Sequence, residues 1–235
     1  LLTQGRQKEA EDLAMKEFMS VPIRQKAYQA FGDLLIEMKD LPAGAPTAYR
    51  RSLNLGDAVA VTEFSQGGAT FRREVFASHP AGVIVVRLTA SRGKRLSFDA
   101  TLMSAHAGSS VSSLPGPAVS MQGAVHDSAI RFEARLTARA EGGTAESTDG
   151  RIIVRGARAV TLLLAGATNF VNYRDVSADP VKRNDATLSP LRGADYSRLR
   201  AAHVADQQQL FRRVSLDFGS TAPSTAPTDQ RIASF

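Results

Sequence analysis

The side chains best able to do chemistry in this sequence are its four histidines, His79, His106, His126 and His203, and the carboxylates near them. His203 and Asp206 stand three apart in a helical pattern, the spacing that places a base and an acid on one helix face. Such a pair can pass a proton, but a hydrogen bond that orients the helix against a sheet is the favoured use of the same groups. His79 precedes Pro80, His106 lies in a run of Ser and Gly, and His126 adjoins Asp127, so each reads as a solvated turn histidine. No HxH, HExxH or HxxxH spacing links any two of them and cysteine is absent, so no metal site is predicted. The lack of cysteine also excludes a thiolate nucleophile and a disulfide framework.

Other chemistries fare no better. Gly67-Gly68 and Gly142-Gly143 fall in hairpin turns with no helix after them, so neither is a phosphate-cradling loop, and no cofactor is expected. A glycosidase needs two carboxylates flanking the scissile bond, and no such pair is recognisable in one loop or strand end. Glu74, Asp99 and Glu133 occupy outward strand positions and read as solvent-face charges. Sugar-binding modules use exposed aromatic platforms. Tryptophan is absent here and Tyr28, Tyr49, Tyr173 and Tyr196 are the only tyrosines, which disfavours the alternative of an independent carbohydrate-binding sandwich. No catalytic residue is therefore expected within these 235 residues.

The elements that would position any site are mainly strands. With 43% apolar residues the chain can fill a core, and its longest apolar run, Ala159 to Ala167, is far short of a bilayer span. The charge of +6 raises the question of a polyanion partner. Of the 29 basic residues 23 are Arg, scattered at alternate positions such as Arg131, Arg135 and Arg139, so nucleic acid binding is not expected. Ala10, Leu13, Ala14 and Phe18 mark an amphipathic helix over about 4–19, which Pro22 ends. Leu34 to Met38 is a first short apolar run with strand character, and from Tyr49 onward runs of period two alternate with turn residues, predicting about ten strands of an antiparallel β-sandwich. Leu96 to Leu102 and Ile130 to Ala138 alternate cleanly, while Val83 to Leu88 and Val160 to Leu164 are apolar on both faces, as in strands covered on both sides. Ser104 to Pro117 reads as a long loop. A short helix is expected near Pro180 to Leu188 and a longer one over about 195–214, opened by Asp195 and carrying Tyr196, Leu199, His203, Leu210 and Val214 on one face. The organisation is thus a helix and lead-in over 1–33, a sandwich over 34–171, and a helical linker with a flexible tail over 172–235.

Five segments carry a resemblance. The run from Arg24 to Ile36, RQKAYQAFGDLLI, resembles the QAYQPLGDLLI segment of glycoside hydrolase family 95, the α-L-fucosidases, which are also grouped with a family 65-type N-terminal domain; Ala30 stands where that family often has Pro. Tyr49 to Leu55 is similar to YRRELDL and Phe71 to Ser78 to YTREVFAS, while Ala167 to Tyr173 matches ATNFVNY and His203 to Phe211 matches HxxDxxxLF, all in family order. The resemblance implies a supersandwich-type N-terminal domain, a helical linker and then an (α/α)6 barrel of the same polypeptide. In that barrel a Glu acid, and an Asp base with an Asn that polarises water, would release fucose from a fucosylated oligosaccharide with inversion. It implies that those residues lie beyond Phe235, that opening strands precede Leu1, and that the protein is a periplasmic or secreted bacterial one. Tyr28, Gln29 and Asn169, within the resembling segments, are the candidates for the domain interface or the rim of a sugar site. Sheet edges left unpaired predict self-association.

Overall fold

Period-two alternation places every second side chain of a strand on one face. In the computed structural model, which describes residues 1–20, 29–91, 93–219 and 226–234, that face closes on a core. The chain forms two compact units, Leu1–Phe31 and Gly32–Phe235. The first contains helix α1 (Gln7–Glu17), supported by the i,i+4 pair of Lys8 with Asp12 at 2.6 Å and by Arg6 with Glu9. None of its residues is buried, and Phe18 just past its end is 84% exposed.

Among the described residues the second unit holds twelve strands: β1 (Asp33–Lys39), β2 (Thr47–Asn54), β3 (Val59–Gln66), β4 (Ala69–Ser78), β5 (Val83–Ala90), β6 (Leu96–Met103), β7 (Ser110–Leu114), β8 (Ala118–Ala124), β9 (Arg131–Glu141), β10 (Thr144–Thr148), β11 (Arg151–Ala157) and β12 (Ala159–Thr168). They build two antiparallel sheets, a small one in the order β1-β6-β11-β10 and a large one in the order β2-β3-β4-β5-β12-β9-β8-β7. Between the sheets Phe98, Leu136, Ile152, Val154, Leu162 and Val119 are fully enclosed. Each such side chain contributes roughly 1.5–3 kcal/mol through burial. The hairpin at Gly142-Gly143 needs glycine twice over: Gly143 has φ +69°, and a Cβ there would lie 2.2 Å from the Arg155 carbonyl oxygen.

The expected mainly β sandwich is present, with one correction. Ser104 to Pro117 is not all loop, because β7 pairs with β8 over Ser110–Leu114. As an edge strand it needs only one partner and one apolar contact, supplied by Val111, so its serines hid it. The outer face of the large sheet is covered in turn. Helices α2 (Pro180–Leu188) and α3 (Tyr196–Phe211) fold back onto it and form a second core of Val59, Phe76, Val83, Val85, Ala165, Leu188 and Leu199. This explains why β5 and β12, adjacent near the middle of the large sheet, are apolar on both faces. A final short helix, α4, spans Thr228–Ala233 in the tail.

Candidate functional site

The helices bring chemistry to the outer face of the large sheet. Glu133, an outward residue of β9, is not a solvent charge: its relative exposure is 0%, because α2 lies over it. Its Oε1 accepts from Ser120 Oγ at 2.7 Å and from Arg135 Nε and Nη2 at 3.1 and 2.7 Å, and its Oε2 accepts from Asn184 Nδ2 at 3.0 Å. The Asn184 amide also donates to the Glu133 carbonyl at 2.9 Å. Arg135 reaches on to Asp185, so one guanidinium bridges a strand carboxylate and a helix carboxylate. Burial pulls the Arg135 pKa down, but its bonds to Glu133 and Asp185 outweigh this and raise it above the usual guanidinium value. Every buried partner in the cluster is satisfied, the condition under which a buried charge is tolerated.

A second set ties α3 to the same face. Tyr196 donates its hydroxyl hydrogen to Glu74 at 2.8 Å, and burial and that bond push its pKa well above the ordinary tyrosine range. The Arg87 guanidinium stacks 5.0 Å from the Tyr196 ring centre while donating to Glu141 at 2.6 Å and Thr161 at 2.8 Å. The Arg87 bond holds the Glu141 carboxyl below its usual value. Glu74 is therefore also engaged rather than solvated, as is Asp99 on the small sheet, which meets Arg155 at 2.9 Å and Lys39 at 3.7 Å. Further along α3, Arg200 and Gln208 hold Asp57 at 3.0 and 3.2 Å.

His203 and Asp206 do not form an acid–base pair. His203 is buried, stacks on Phe76 at 4.6 Å, and sets its Nε2 3.2 Å from the Ala58 carbonyl, which can only accept, so that nitrogen carries the proton. This is the orienting helix-to-sheet contact. Asp206 faces His79 Nδ1 at 3.6 Å instead, a pairing that no sequence spacing signals. Among the described residues no group of three or more His, Asp or Glu is placed to hold a metal, and no helix is long and apolar enough to cross a membrane.

Between α2, its connection to α3 and strands β9 and β12 runs a groove of about 830 Å³ that includes Arg135, Thr137, Arg139, Thr161, Leu163 and Arg192. Two of its guanidinium groups are committed, Arg135 to Glu133 and Asp185 and Arg139 to the Ala194 carbonyl at 2.9 Å. Its hydroxyls are Thr137, Thr161 and Ser189, and its carboxylate, Asp185, is paired with Arg135.

Of the candidates read from sequence, Tyr28 lies outside the described residues, and Gln29 is exposed in the N-terminal unit. Asn169 is 1% exposed: its Oδ1 accepts from Arg131 N at 2.8 Å, and its Nδ2 donates to the Ala129 and Val176 carbonyls, both at 2.9 Å. Its neighbours in the same seven-residue motif, Phe170, Val171 and Tyr173, are exposed at 46%, 47% and 82%, and Asn172 is exposed with them.

Two unequal antiparallel sheets, the larger covered on its outer face by helices that follow the last strand, define the fold as a helix-covered β-sandwich. A solved structure described as a kojibiose phosphorylase from the human microbiome shares this fold, with a TM-score of 0.53 at 8% identity over 75% of this chain and 27% of that one. A family profile described as "Glycosyl hydrolase family 65, N-terminal domain" matches residues 1–173, and the chain belongs to that family. Alpha-L-fucosidase 2 of Arabidopsis thaliana is 30% identical over 241 residues, covering 88% of this chain and 29% of that protein. A protein of Aspergillus niger described as "Probable alpha-fucosidase A" is 26% identical over 89% of this chain and 28% of its own length. The chain thus spans under a third of the curated relatives it matches.

Proposed function

We propose that this domain is the noncatalytic N-terminal sandwich of an α-L-fucosidase of glycoside hydrolase family 95, and that its task is to seat a helical linker that carries a catalytic barrel. The observation that carries the reading is the 30% identity to alpha-L-fucosidase 2 along 88% of the chain. The site chemistry supports it, because Glu74, Asp99, Glu133 and Glu141 are all engaged in holding elements together. The parent enzyme then hydrolyses terminal α-L-fucosyl linkages with inversion, using a carboxyl acid and an activated water supplied by the barrel. Gln29 and Asn169 belong to the interface between sandwich and barrel, Asn169 as a positioning residue.

An aryl α-L-fucoside assay on residues 1–235 and on the full-length gene product tests this. Turnover is expected from the full-length protein alone, with the β-anomer of fucose appearing first by NMR. Turnover by the 235-residue chain refutes the noncatalytic role; initial release of the α-anomer refutes inversion.

A further inference from the structure

The groove between α2, the α2–α3 connection and strands β9 and β12 holds about 830 Å³, within the size range of small-molecule sites. Leu163, Leu188 and Leu191 give it an apolar wall, and Thr137, Thr161 and Ser189 give it hydroxyls. Thr161 accepts from Arg87 and keeps its own hydrogen to donate. Thr137 is half-buried, and its hydroxyl makes no bond among the described residues. Three arginines border the groove, and they differ in what they meet. Arg135 lies between Glu133 and Asp185. Arg139 meets the Ala194 carbonyl, which satisfies one donor but no charge. The Arg192 guanidinium meets no acceptor among the described residues. Against these three cations stand Asp185 and the buried Glu133, so one positive charge is unmatched in the groove. Asp195 does not supply the missing anion. Its carboxyl is held below the usual range first by Ser197 and last by the Arg139 charge, and it borders the neighbouring hollow.

A guanidinium grips a carboxylate through two parallel hydrogen bonds, and the grip strengthens beside apolar walls that exclude water. A neutral sugar ring finds less here, because no aromatic side chain lines the groove to stack on it. A single unmatched positive charge calls for a monoanion. We propose that the groove is a binding site for a small monocarboxylate, its carboxylate held by Arg192 and the Thr137 hydroxyl and its body lying along Leu163 and Leu188. Arg139, with one N–H on Ala194, keeps further donors for the same group. The Thr161 and Ser189 hydroxyls are left for any polar groups on the body. This site does not depend on the fucosidase reading, since every residue in it belongs to the sandwich and the two helices on it.

Amide NMR titrations of residues 1–235 with hexanoate, glucuronate, inorganic sulfate and neutral hexanol are the test. Saturable shifts at Thr137, Leu188 and Gly193 are expected with hexanoate or glucuronate, and the tighter of the two shows whether an aliphatic or a hydroxylated body is preferred. No saturable shift from either carboxylate overturns the proposal. Equal shifts from sulfate also overturn it, as plain ion pairing, and so do equal shifts from hexanol, as an apolar hollow only. Arg192→Gln is expected to weaken the tighter carboxylate about tenfold and to leave the urea midpoint unchanged, because no bond of the fold is lost. Undiminished affinity in that variant overturns the proposal. Arg198 borders the neighbouring hollow, which Arg192 also touches. Arg198→Gln is expected to change nothing, and weaker binding there places the anion in the other hollow and overturns the assignment. In the full-length gene product the same carboxylate is expected to raise the unfolding temperature by an amount that Arg192→Gln removes; no rise overturns a site in the intact protein.

Discussion

Glu133→Gln isolates the charge that α2 covers. The glutamine has nearly the shape of the glutamate, so packing is conserved and only the electrostatics and one acceptor change. Its single amide oxygen can face Ser120 and Arg135, as Oε1 does now. Its NH2 then points at Asn184 Nδ2, a donor against a donor. Turning the Asn184 amide relieves that clash but forfeits the bond to the Glu133 carbonyl, so one of the two contacts is lost in either orientation. The larger effect falls on Arg135, whose side chain is only 12% exposed and keeps Asp185, itself 58% exposed, as its remaining anion. Removing one partner of a buried pair costs about 3–5 kcal/mol, and the surviving Asp185 contact points to the lower end, about 3 kcal/mol. With a urea m-value of about 1–3 kcal/mol/M, the midpoint should fall by about 1–3 M. Amide exchange along α2 should rise with it. A Glu133→Leu/Arg135→Met variant, which removes both charges, should recover most of the loss. A Glu133→Gln midpoint within about 0.3 M of the parent, equivalent to under ~1 kcal/mol, would refute the idea that this ion pair fastens the helix.

Asn169→Ala removes the bonds to the Arg131 amide and the Ala129 and Val176 carbonyls together, and at about 0.5–1.5 kcal/mol per hydrogen bond it should cost about 1–3 kcal/mol in chemical denaturation, since the exposed Ala129 and Arg131 positions admit water; a loss below ~0.5 kcal/mol contradicts the staple role. Arg87→Ala should make stability less dependent on acid. Because Arg87 holds the Glu141 pKa below its ordinary 4.5, their contribution is present above that pH and is lost as pH falls through the depressed value. The gap between parent and variant should therefore narrow below about pH 4 in unfolding curves, and a gap that widens there is inconsistent with the pairing. Self-association should run through β1, whose seven residues pair with β6 on one side only among the described strands, with Leu35 46% exposed. Sedimentation of residues 1–235 should show a concentration-dependent shift that Leu35→Lys removes, and a monomer at every concentration rules it out.

What the sequence disclosed follows a physical division between local and distant causes. The short helix α2 was legible because Asp179 and Pro180 announce it. The Asp179 carboxylate accepts from the Val181 and Lys182 amides at 2.9 and 3.2 Å, and Pro fits the first turn. The double-sided character of β5 and β12 was legible because burial on two faces leaves no polar alternation to write. Asp195 was legible as the residue before α3, though its side chain takes a hydrogen bond from Ser197 rather than capping the helix amides. The burial of Glu133 was not legible. Strand alternation states which residues leave the core, not whether a helix 51 positions downstream will return to cover them. Nor could a motif say which of its residues is scaffold: Asn169 and Tyr173 sit four apart, one sealed by backbone partners and the other open.

The buried cluster bears on why a domain proposed here to be noncatalytic should keep a carboxylate beneath a helix. Apolar contacts alone, such as Leu188 and Leu199 against Val83 and Val85, would hold α2 and α3 to the sheet about as firmly, since buried ion pairs seldom exceed well-packed aliphatic residues in stability. Apolar surfaces, however, tolerate sliding. Asn184 meets the backbone and the side chain of one residue, Glu133, and Arg135 meets the next position of the helix, Asp185, so a shift of α2 by a single residue breaks every bond in the set. Directional bonds to one strand position thus select one register where aliphatic packing admits several. For a sandwich whose proposed task is to aim a linker at a catalytic module, register is the property that matters. The double variant separates the two effects: near-parental stability with α2 amide exchange still raised is the outcome that assigns the ion pair to positioning, whereas stability and exchange restored together would leave the charges without a distinct role.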